Sequence, residues 1–296
     1  MSTNISTAAS QSILGEQRLR RRERLLSNPG LLIGLTVFLL IVLAALAIPA
    51  LSTIDPNEMT VAQRLKPPSA LHIFGMDEFG RDLFIRVLYG ARVSLAVGCS
   101  VALLSCLLGT FIGIYASYFK LLDHILMRIC DGLIAIPGVL LAIALMAALG
   151  PSNWNVILAL TVVYTPSVAR VVRSGALVLK TQTFVEAARV QGASSFRILR
   201  KLILPGILSP LTVQASFIFA QAIIAEASLS FLGAGIPAPA ASWGNILQAS
   251  RSVLGKAPWT VIFPGIAVIL CVLSLNLLGD GLRDYLDPRT ARRRKK

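Results

Sequence analysis

Charged residues are missing from long stretches of this chain, and their absence strongly limits the folds that it can adopt. The charge-free stretches lie between Arg24 and Asp55, Arg92 and Lys120, Asp131 and Arg170, Lys201 and Glu226, and Lys256 and Asp280. A helix of about 20 apolar residues crosses the hydrocarbon core of a membrane. The third stretch is too long for one helix, and Gly150-Pro151-Ser152-Asn153 within it has the composition of a turn. It therefore predicts two short helices.

These stretches predict an all-α integral membrane protein with six transmembrane helices. The spans are placed at 31–51, 93–118, 132–149, 155–173, 208–233 and 260–279. The composition agrees, because 14% of the residues are charged, whereas a soluble domain has about 25%. The first apolar run is longer than the hydrophobic region of a signal peptide, and no clear cleavage site follows it. We therefore expect it to remain in the membrane as a span.

The predicted spans divide the chain into segments. These are a basic tail at 1–30, the first span at 31–51, an external loop at 52–92, a core at 93–281 and a second basic tail at 282–296.

The positive charge is distributed as in a membrane protein. The net charge of +14 would suit a nucleic-acid partner. If both termini lie in the cytoplasm, however, 21 of the 28 lysines and arginines fall on the cytoplasmic side. This bias follows the positive-inside rule and predicts cytoplasmic termini and no nucleic-acid partner. The basic ends, Arg18–Arg24 and Arg292–Lys296, are then expected to contact anionic membrane lipid.

The sequence shows no recognisable catalytic or metal site. It has no G-x-x-x-x-G-K-[ST] loop for ATP and no G-x-S-x-G nucleophile. Its two histidines, His72 and His124, are far apart, and its four cysteines lack metal-binding spacing. We therefore predict no catalytic residue, no metal site and no cofactor held by this chain.

Glu226 is the only acidic residue well inside a predicted span. A carboxylate in lipid is costly, so such a residue is a functional candidate. Two interpretations remain open, a charge on a transport pathway and structural pairing within the bundle. A carrier that powers itself usually has more ionisable groups or broken helices at mid-membrane, and their scarcity argues against that class.

Some local patterns predict how the spans pack. Gly109 and Gly113 form a G-x-x-x-G pattern, which favours either a packed bundle or a dimer interface. Trp243 and Trp259 are typical of an aromatic belt at the membrane interface. The apolar spacing after Asp82 predicts a short amphipathic helix that enters the second span.

The segment 184–205 is the longest basic, polar segment between two apolar ones. It predicts a short helix from Phe184 to Gln191, closed by Gly192 in the left-handed conformation of a helix C-cap. Ser194 or Ser195 can cap a second helix, which Pro205 would end or kink. The apolar face of that second helix is predicted to carry Phe196, Leu199 and Leu202. Such an elbow is compatible both with docking on a partner and with an ordinary basic loop.

The same segment resembles the EAA loop of permease subunits of binding-protein-dependent ABC importers, whose pattern is E-A-A-x3-G-x9-I-x-L-P. The matching residues are Glu186, Ala187, Ala188, Gly192, Leu204 and Pro205, with Leu202 in the place of isoleucine. In that family the loop docks on the ATPase subunit and couples ATP hydrolysis to opening of the permease. The resemblance implies the same role here.

Other motifs resemble one branch of that family, the second permease subunit of dipeptide, oligopeptide and nickel importers. Its G-T-D-x-x-G-R-D box is matched by Gly75, Asp77, Gly80, Arg81 and Asp82, with Met76 in the place of threonine. Its D-x4-I-P and A-R-x-x-R elements are matched by Asp131, Ile136, Pro137, Ala169, Arg170 and Arg173. Lys201 and Gly206 depart from its R-H-I-L-P-N box.

The resemblance implies a type I ABC importer permease fold in the bacterial cytoplasmic membrane, with 93–281 as the permease core. The implied partners are a homologous second permease, two ABC ATPase subunits or domains that hold ATP and Mg²⁺, and an extracytoplasmic solute-binding protein. The implied cargo is a di- or oligopeptide. The alternatives are a nickel-chelate or other small-solute importer of the same branch and, from other classes, a self-sufficient carrier or channel or a membrane scaffold.

Overall fold

The computed structural model describes residues 28–237 and 239–286, and their regular structure is helical. The helices are α1 (Pro29–Leu51), α2 (Leu83–Tyr118), α3 (Lys120–Ala135), α4 (Gly138–Leu149), α5 (Asn153–Lys180), α6 (Thr183–Val190), α7 (Ser195–Phe231), α8 (Trp243–Ser250) and α9 (Trp259–Leu286). Short 3₁₀ turns lie at Val61–Gln63 and Arg251–Val253. Both basic tails predicted to contact lipid lie outside the described residues, apart from the first residues of α1 and the last residues of α9.

Five helices, α1, α2, α5, α7 and α9, are long and apolar enough to cross a membrane, and the bent pair α3 and α4 meets the same criteria when it is counted as one span. The all-α fold is thus confirmed, with five spans or, when the bent pair is counted as one, the six that were predicted. The shape predicted for the third span, a helix over 132–149, is wrong. The chain turns by 96° between α3 and α4, because the residue before a proline avoids the helical region. Ile136, before Pro137, is accordingly extended, with φ −89° and ψ 129°.

Helix α2 begins outside the predicted span and runs without a break to Tyr118. The amphipathic helix predicted after Asp82 is therefore the first part of the span itself. Asp82 caps this helix, because its carboxylate accepts a hydrogen bond of 3.0 Å from the backbone N–H of Ile85. Lys180, at the end of α5, donates to Ser117 O near the end of α2. The two helix ends therefore lie together beside α6, and the start of α2 lies at the opposite end, called here the outer end.

Helix α2 is central to the bundle and packs against α1, α5 and α7. The G-x-x-x-G pattern makes its closest contacts with α5. A Cβ atom on Gly109 would lie 2.5 Å from Val168 Cβ, and one on Gly113 would lie 2.6 Å from Ala169 O. Only glycine allows this approach of the two backbones. Of the two alternatives for this pattern, packing within one chain is the one observed.

Arg92 joins α1 to α2 at a carbonyl group that a proline has freed. Pro49, inside α1, has no N–H to donate to Ala45 O. The guanidinium of Arg92 takes that place, with 2.6 Å from Nε to Ala45 O and 2.7 Å from Nη2 to Leu46 O. A charged donor thus satisfies a carbonyl that would otherwise be unpaired in lipid.

The pair can be tested by a double-mutant cycle. Arg92→Ala should destabilise the protein by about 1–3 kcal/mol, since it leaves the carbonyl groups without their charged donor. Adding Pro49→Ala should recover part of that loss, because an alanine in place of the proline can supply the missing helical N–H. Thermal unfolding of the purified single and double variants measures the coupling. Strictly additive effects would contradict this account of the contact.

Candidate functional site

The segment 184–205, called here the elbow, folds as helix α6, a tight turn and the start of α7. Gly192 has φ +80° and closes α6. Its N–H donates to Arg189 O, and the N–H of Ala193 donates to Ala188 O, both at 3.0 Å. This is the Schellman arrangement that ends a helix on glycine. The predicted short helix and its glycine cap are thus present, and Ser194 caps the second helix, as one of the two predicted candidates.

The buried face of the second elbow helix differs from the prediction. Ile198 and Ile203 are buried together with Leu199, whereas Phe196 is 63% exposed and Leu202 is only half-buried. A π-helical turn at Leu199–Ile203 accounts for the part of this difference at Leu202 and Ile203. Such a turn takes more residues than an α-helical one and shifts the later side chains around the axis. Only Leu199 of the predicted face is fully buried.

The same π turn explains why Pro205 does not end the helix. Proline cannot donate the usual hydrogen bond to the carbonyl four residues earlier. Here the N–H of Leu204 already donates to Leu199 O, five residues back. The hydrogen-bond pattern therefore changes before it reaches Pro205, and α7 continues to Phe231.

The outward surface of the elbow is partly apolar and partly basic. Phe184, Val190 and Phe196 are large apolar side chains that are exposed in this chain, Val190 to 88%. Arg189 and Arg197 are exposed beside them, as are Glu186 and Ala187, while Ala188 is half-buried. Exposed apolar side chains grouped on one surface mark interaction sites. This surface has the composition of a protein docking site.

Two ion pairs lie just behind the elbow and join α3 to α5. Arg173 binds Asp123 through two bonds of 2.5 and 2.6 Å, and Arg170 binds Asp131 at 2.7 Å. The sequence singled out Asp131, Arg170 and Arg173 as motif residues but not as partners, and it missed Asp123. The sequence did contain a signal for the pair of Asp131 and Arg170. These residues flank one charge-free stretch that was predicted to form two helices, which would bring its two ends to the same side of the membrane.

The motif residues 75–82 at the outer end, called here the outer box, form a buried network of hydrogen bonds around Asp77. Asp77 Oδ2 accepts a 2.6 Å bond from Arg81 Nε, and Oδ1 accepts the backbone N–H groups of Phe79 and Arg81 at 2.9 Å. Arg86 donates to Pro56 O at 2.9 Å and so holds the preceding loop. His72 Nδ1 lies 2.9 Å from Asp82 Oδ2.

The glycines of the box permit its folded path. Gly75 and Gly80 have φ values of +77° and +72°, a region that glycine enters without strain. A Cβ on Gly80 would collide with Thr60 O. The five predicted box residues therefore lie together, and their contacts order the outer loop.

Glu226 lies in α7 and is completely buried. Its carboxylate accepts hydrogen bonds from Ser94 Oγ at 2.9 Å and from Ser230 Oγ at 2.8 Å, and the Ser242 hydroxyl also contacts it. The serines come from α2, α7 and the N-cap of α8. These contacts are what the structural interpretation of Glu226 requires, since each carboxylate oxygen has a donor within the chain.

The aromatic belt predicted at Trp243 and Trp259 is wrong for Trp243. Its ring is 1% exposed, and its Nε1 donates to Val87 O at 3.0 Å. Trp259 is half-buried and donates to Met76 O in the outer box. Both indole groups serve contacts within the protein, because the segment after α7 folds back between the outer ends of the spans.

Comparison with known families identifies two parts of the chain. Residues 106–292 match the binding-protein-dependent transport system inner membrane component. Residues 18–68 match the N-terminal transmembrane domain of oligopeptide transport permease C.

Curated relatives cover nearly the whole chain. It is 51% identical over 266 residues to a putative peptide transport system permease protein of Brucella abortus, covering 90% of each protein. It is 42% identical to a dipeptide transport system permease protein of Alkalihalophilus pseudofirmus, covering 90% of this chain and 88% of the relative. It is also 47% identical to a glutathione transport system permease protein of Escherichia coli, covering 75% and 74%.

The fold is similar to a chain of the inward-facing MetNI methionine ABC transporter. The TM-score is 0.58 at 20% sequence identity, and the match covers 68% of this chain and 97% of that one. This likeness supports the type I importer fold. The chain therefore belongs to the binding-protein-dependent transport system inner membrane components, the multi-pass permease subunits of bacterial ABC importers.

Proposed function

We propose that this chain forms half of the translocation pathway of an ATP-driven importer of di- or oligopeptides. The observation that carries the substrate class is the 51% identity to a peptide permease over 90% of the chain. Relatives named for dipeptides and for glutathione, itself a short peptide, support the same class. They favour peptides over the nickel-chelate alternative. Membership of the family places the chain among proteins that work with an ATPase and a binding protein, which argues against a self-sufficient carrier.

The complex would contain a homologous second permease, two ATPase subunits or domains and an extracytoplasmic binding protein. ATP and Mg²⁺ would be held by the ATPases, and this chain would hold no cofactor, metal or nucleic acid. Both termini would lie in the cytoplasm, on the same side as the elbow. Their basic residues would contact anionic lipid.

The elbow would receive the motion of the ATPases. Phe184, Val190 and Phe196 would enter an apolar groove of the partner, and Arg189 and Arg197 would fit an acidic rim. The Gly192 cap fixes the angle between α6 and α7, so that a push on the elbow reaches α5 and α7 together. Since the ion pairs at Arg170 and Arg173 hold α3 against α5, the bent span would follow the same motion.

Reconstitution of the complete complex tests this function. We expect ATP-dependent uptake of a labelled dipeptide or tripeptide by proteoliposomes that contain both permeases, the ATPases and the cognate binding protein. Matched vesicles that lack the ATPases should show none. Uptake of nickel complexes without peptide uptake would contradict the substrate class. Peptide uptake by this chain alone, without ATP, would contradict the mechanism.

A further inference from the structure

Besides Pro205, which the π turn accommodates, four prolines lie inside the long helices, and they are not equivalent. Pro49, Pro166, Pro210 and Pro264 belong to α1, α5, α7 and α9. Each lacks the N–H that would bind the carbonyl four residues earlier. The freed carbonyls belong to Ala45, Val162, Gly206 and Thr260. In a membrane such a group needs another donor, or it leaves a weak point in the helix.

Two of the freed carbonyls receive a side-chain donor, and both lie at the outer end. Arg92 donates to Ala45 O, as described above. Ser250 of α8 reaches Thr260 O at 3.0 Å, although its hydroxyl proton is shared with Ile246 O at 2.7 Å. These contacts fix α1 against α2 and α9 against α8. Bending at Pro49 or Pro264 would break them.

The other two freed carbonyls have no such donor. Within residues 28–237 and 239–286, no side chain donates a hydrogen bond to Val162 O or Gly206 O. Pro166 and Pro210 occur in the two helices that the elbow connects, one before it and one after it along the chain. They therefore bound the segment 167–209. Bending at either point breaks no side-chain contact to the freed carbonyl.

The segment between these prolines has a core of its own. Val172 and Ala176 of α5 belong to the same buried cluster as Val185, Ile198 and Ile203 of the elbow. Where α5 and α7 meet, the backbone is close to the facing side chain, since a Cβ on Gly206 would lie 2.5 Å from Leu179 Cδ1. Such close packing transmits displacement without deforming.

Neighbouring helix ends are attached to the same block. Arg170 and Arg173 lie within 167–209 and bind α3 through Asp131 and Asp123. The elbow-side end of α2 contacts Val168 and Ala169 through its two glycines. These parts would move with the block.

We propose that Pro166 and Pro210 are paired hinges, about which the block 167–209 turns as one body when the elbow is pushed. The outer end, where Arg92 and Ser250 donate to the freed carbonyl groups of Ala45 and Thr260, stays fixed. The inference rests on the proposed role of the elbow in an ATP-driven importer. It adds the positions at which the motion is taken up, two prolines in helix interiors, where helices kink most readily.

The chain offers matched controls for a test. Pro166→Ala, Pro210→Ala and their combination restore a helical N–H at the uncapped positions, and Pro49→Ala and Pro264→Ala do so at the capped ones. Each variant is assembled into the complete complex in proteoliposomes. The rates of ATP-dependent peptide uptake and of ATP hydrolysis stimulated by the binding protein are measured, with the melting temperature of the complex.

The hinge double variant should lose uptake by about fivefold or more, with an unchanged or raised melting temperature. The two outer variants should keep wild-type uptake. Normal uptake in the hinge double variant, an equal loss in the outer variants, or a loss explained by a lower melting temperature would each overturn the proposal. Absence of ATP-driven peptide uptake in the wild-type complex would instead refute the proposed function, so the two failures are distinguishable.

Discussion

Replacing Glu226 with alanine should prevent stable folding of this chain, whereas Glu226→Gln should leave most of the folded protein intact. Alanine removes the acceptor for Ser94 and Ser230 and leaves a cavity at a completely buried position. Unpaired buried hydroxyl groups and the lost packing together should cost about 3–5 kcal/mol. A loss of this size is a large part of the stability of a typical domain.

The expected size follows from what the carboxylate joins. The same Ser94 hydroxyl accepts the backbone N–H of Trp243 at 3.3 Å, and Ser230 Oγ accepts that of Ile236 at 3.2 Å. Loss of Glu226 thus disturbs the serines that hold the segment between α7 and α8. The glutamine amide keeps the shape and can bond to hydroxyl groups that reorient, so its cost should be about 1 kcal/mol.

The glutamine variant also separates the two interpretations of Glu226. If the residue is structural, Glu226→Gln should fold and retain ATP-dependent uptake in the reconstituted complex. A well-folded glutamine variant that transports nothing would contradict the structural interpretation and favour a charge on the pathway. Size-exclusion chromatography and thermal unfolding in detergent measure folding, and the uptake assay measures function.

Replacing Gly192 with valine should reduce ATP-dependent uptake by about tenfold or more, while the chain still inserts and folds. Gly192 has φ +80°, a conformation that costs other residues about 1–2 kcal/mol. A Cβ at this position meets no atom within 4 Å. The substitution therefore acts through backbone strain at the turn and changes the angle at which the elbow meets its partner.

Two variants sharpen this test. Gly132, in α3, also has free space around an added Cβ and no positive φ, so Gly132→Ala should keep wild-type uptake. Gly192→Asn should keep more uptake than the valine variant, because asparagine tolerates the left-handed conformation. Co-purification of the ATPase with each variant reports docking directly. Normal uptake and stimulated ATP hydrolysis in Gly192→Val would contradict the coupling role.

The membrane-spanning helices could be predicted because charged residues are excluded from the hydrocarbon core, so that charge-free stretches mark the spans. The bend between α3 and α4 was missed, although Ile136-Pro137 was visible in the sequence, since length and hydropathy alone do not register a break. Trp243 was misplaced for a related reason. An interfacial tryptophan and one folded back between helices have the same local sequence, and only tertiary packing distinguishes them.

In the candidate site, too, the features set by local sequence could be predicted and those set by tertiary packing could not. The cap at Gly192 depends on one residue and its neighbours, so the sequence predicted it. The buried face of the second elbow helix depends on helical phase, which the π turn at Leu199–Ile203 altered for Leu202 and the residues after it. The ion pairs behind the elbow and the donor to Ala45 O join residues that are distant in sequence. A single sequence carries no direct signal for most such pairings, and Asp131 with Arg170 is the exception, because both flank one charge-free stretch.

The serines around Glu226 also bear on how the chain inserts into the membrane during its synthesis. Ser230 lies one turn after Glu226 on the same helix, so their hydrogen bond needs no other part of the bundle and can form as soon as α7 is helical. Ser94 is synthesised earlier and meets it when α7 joins α2. Ser242 follows only after α7 is complete. An acidic residue that would be costly in lipid alone would therefore gain its hydrogen-bond donors one after another as the bundle assembles.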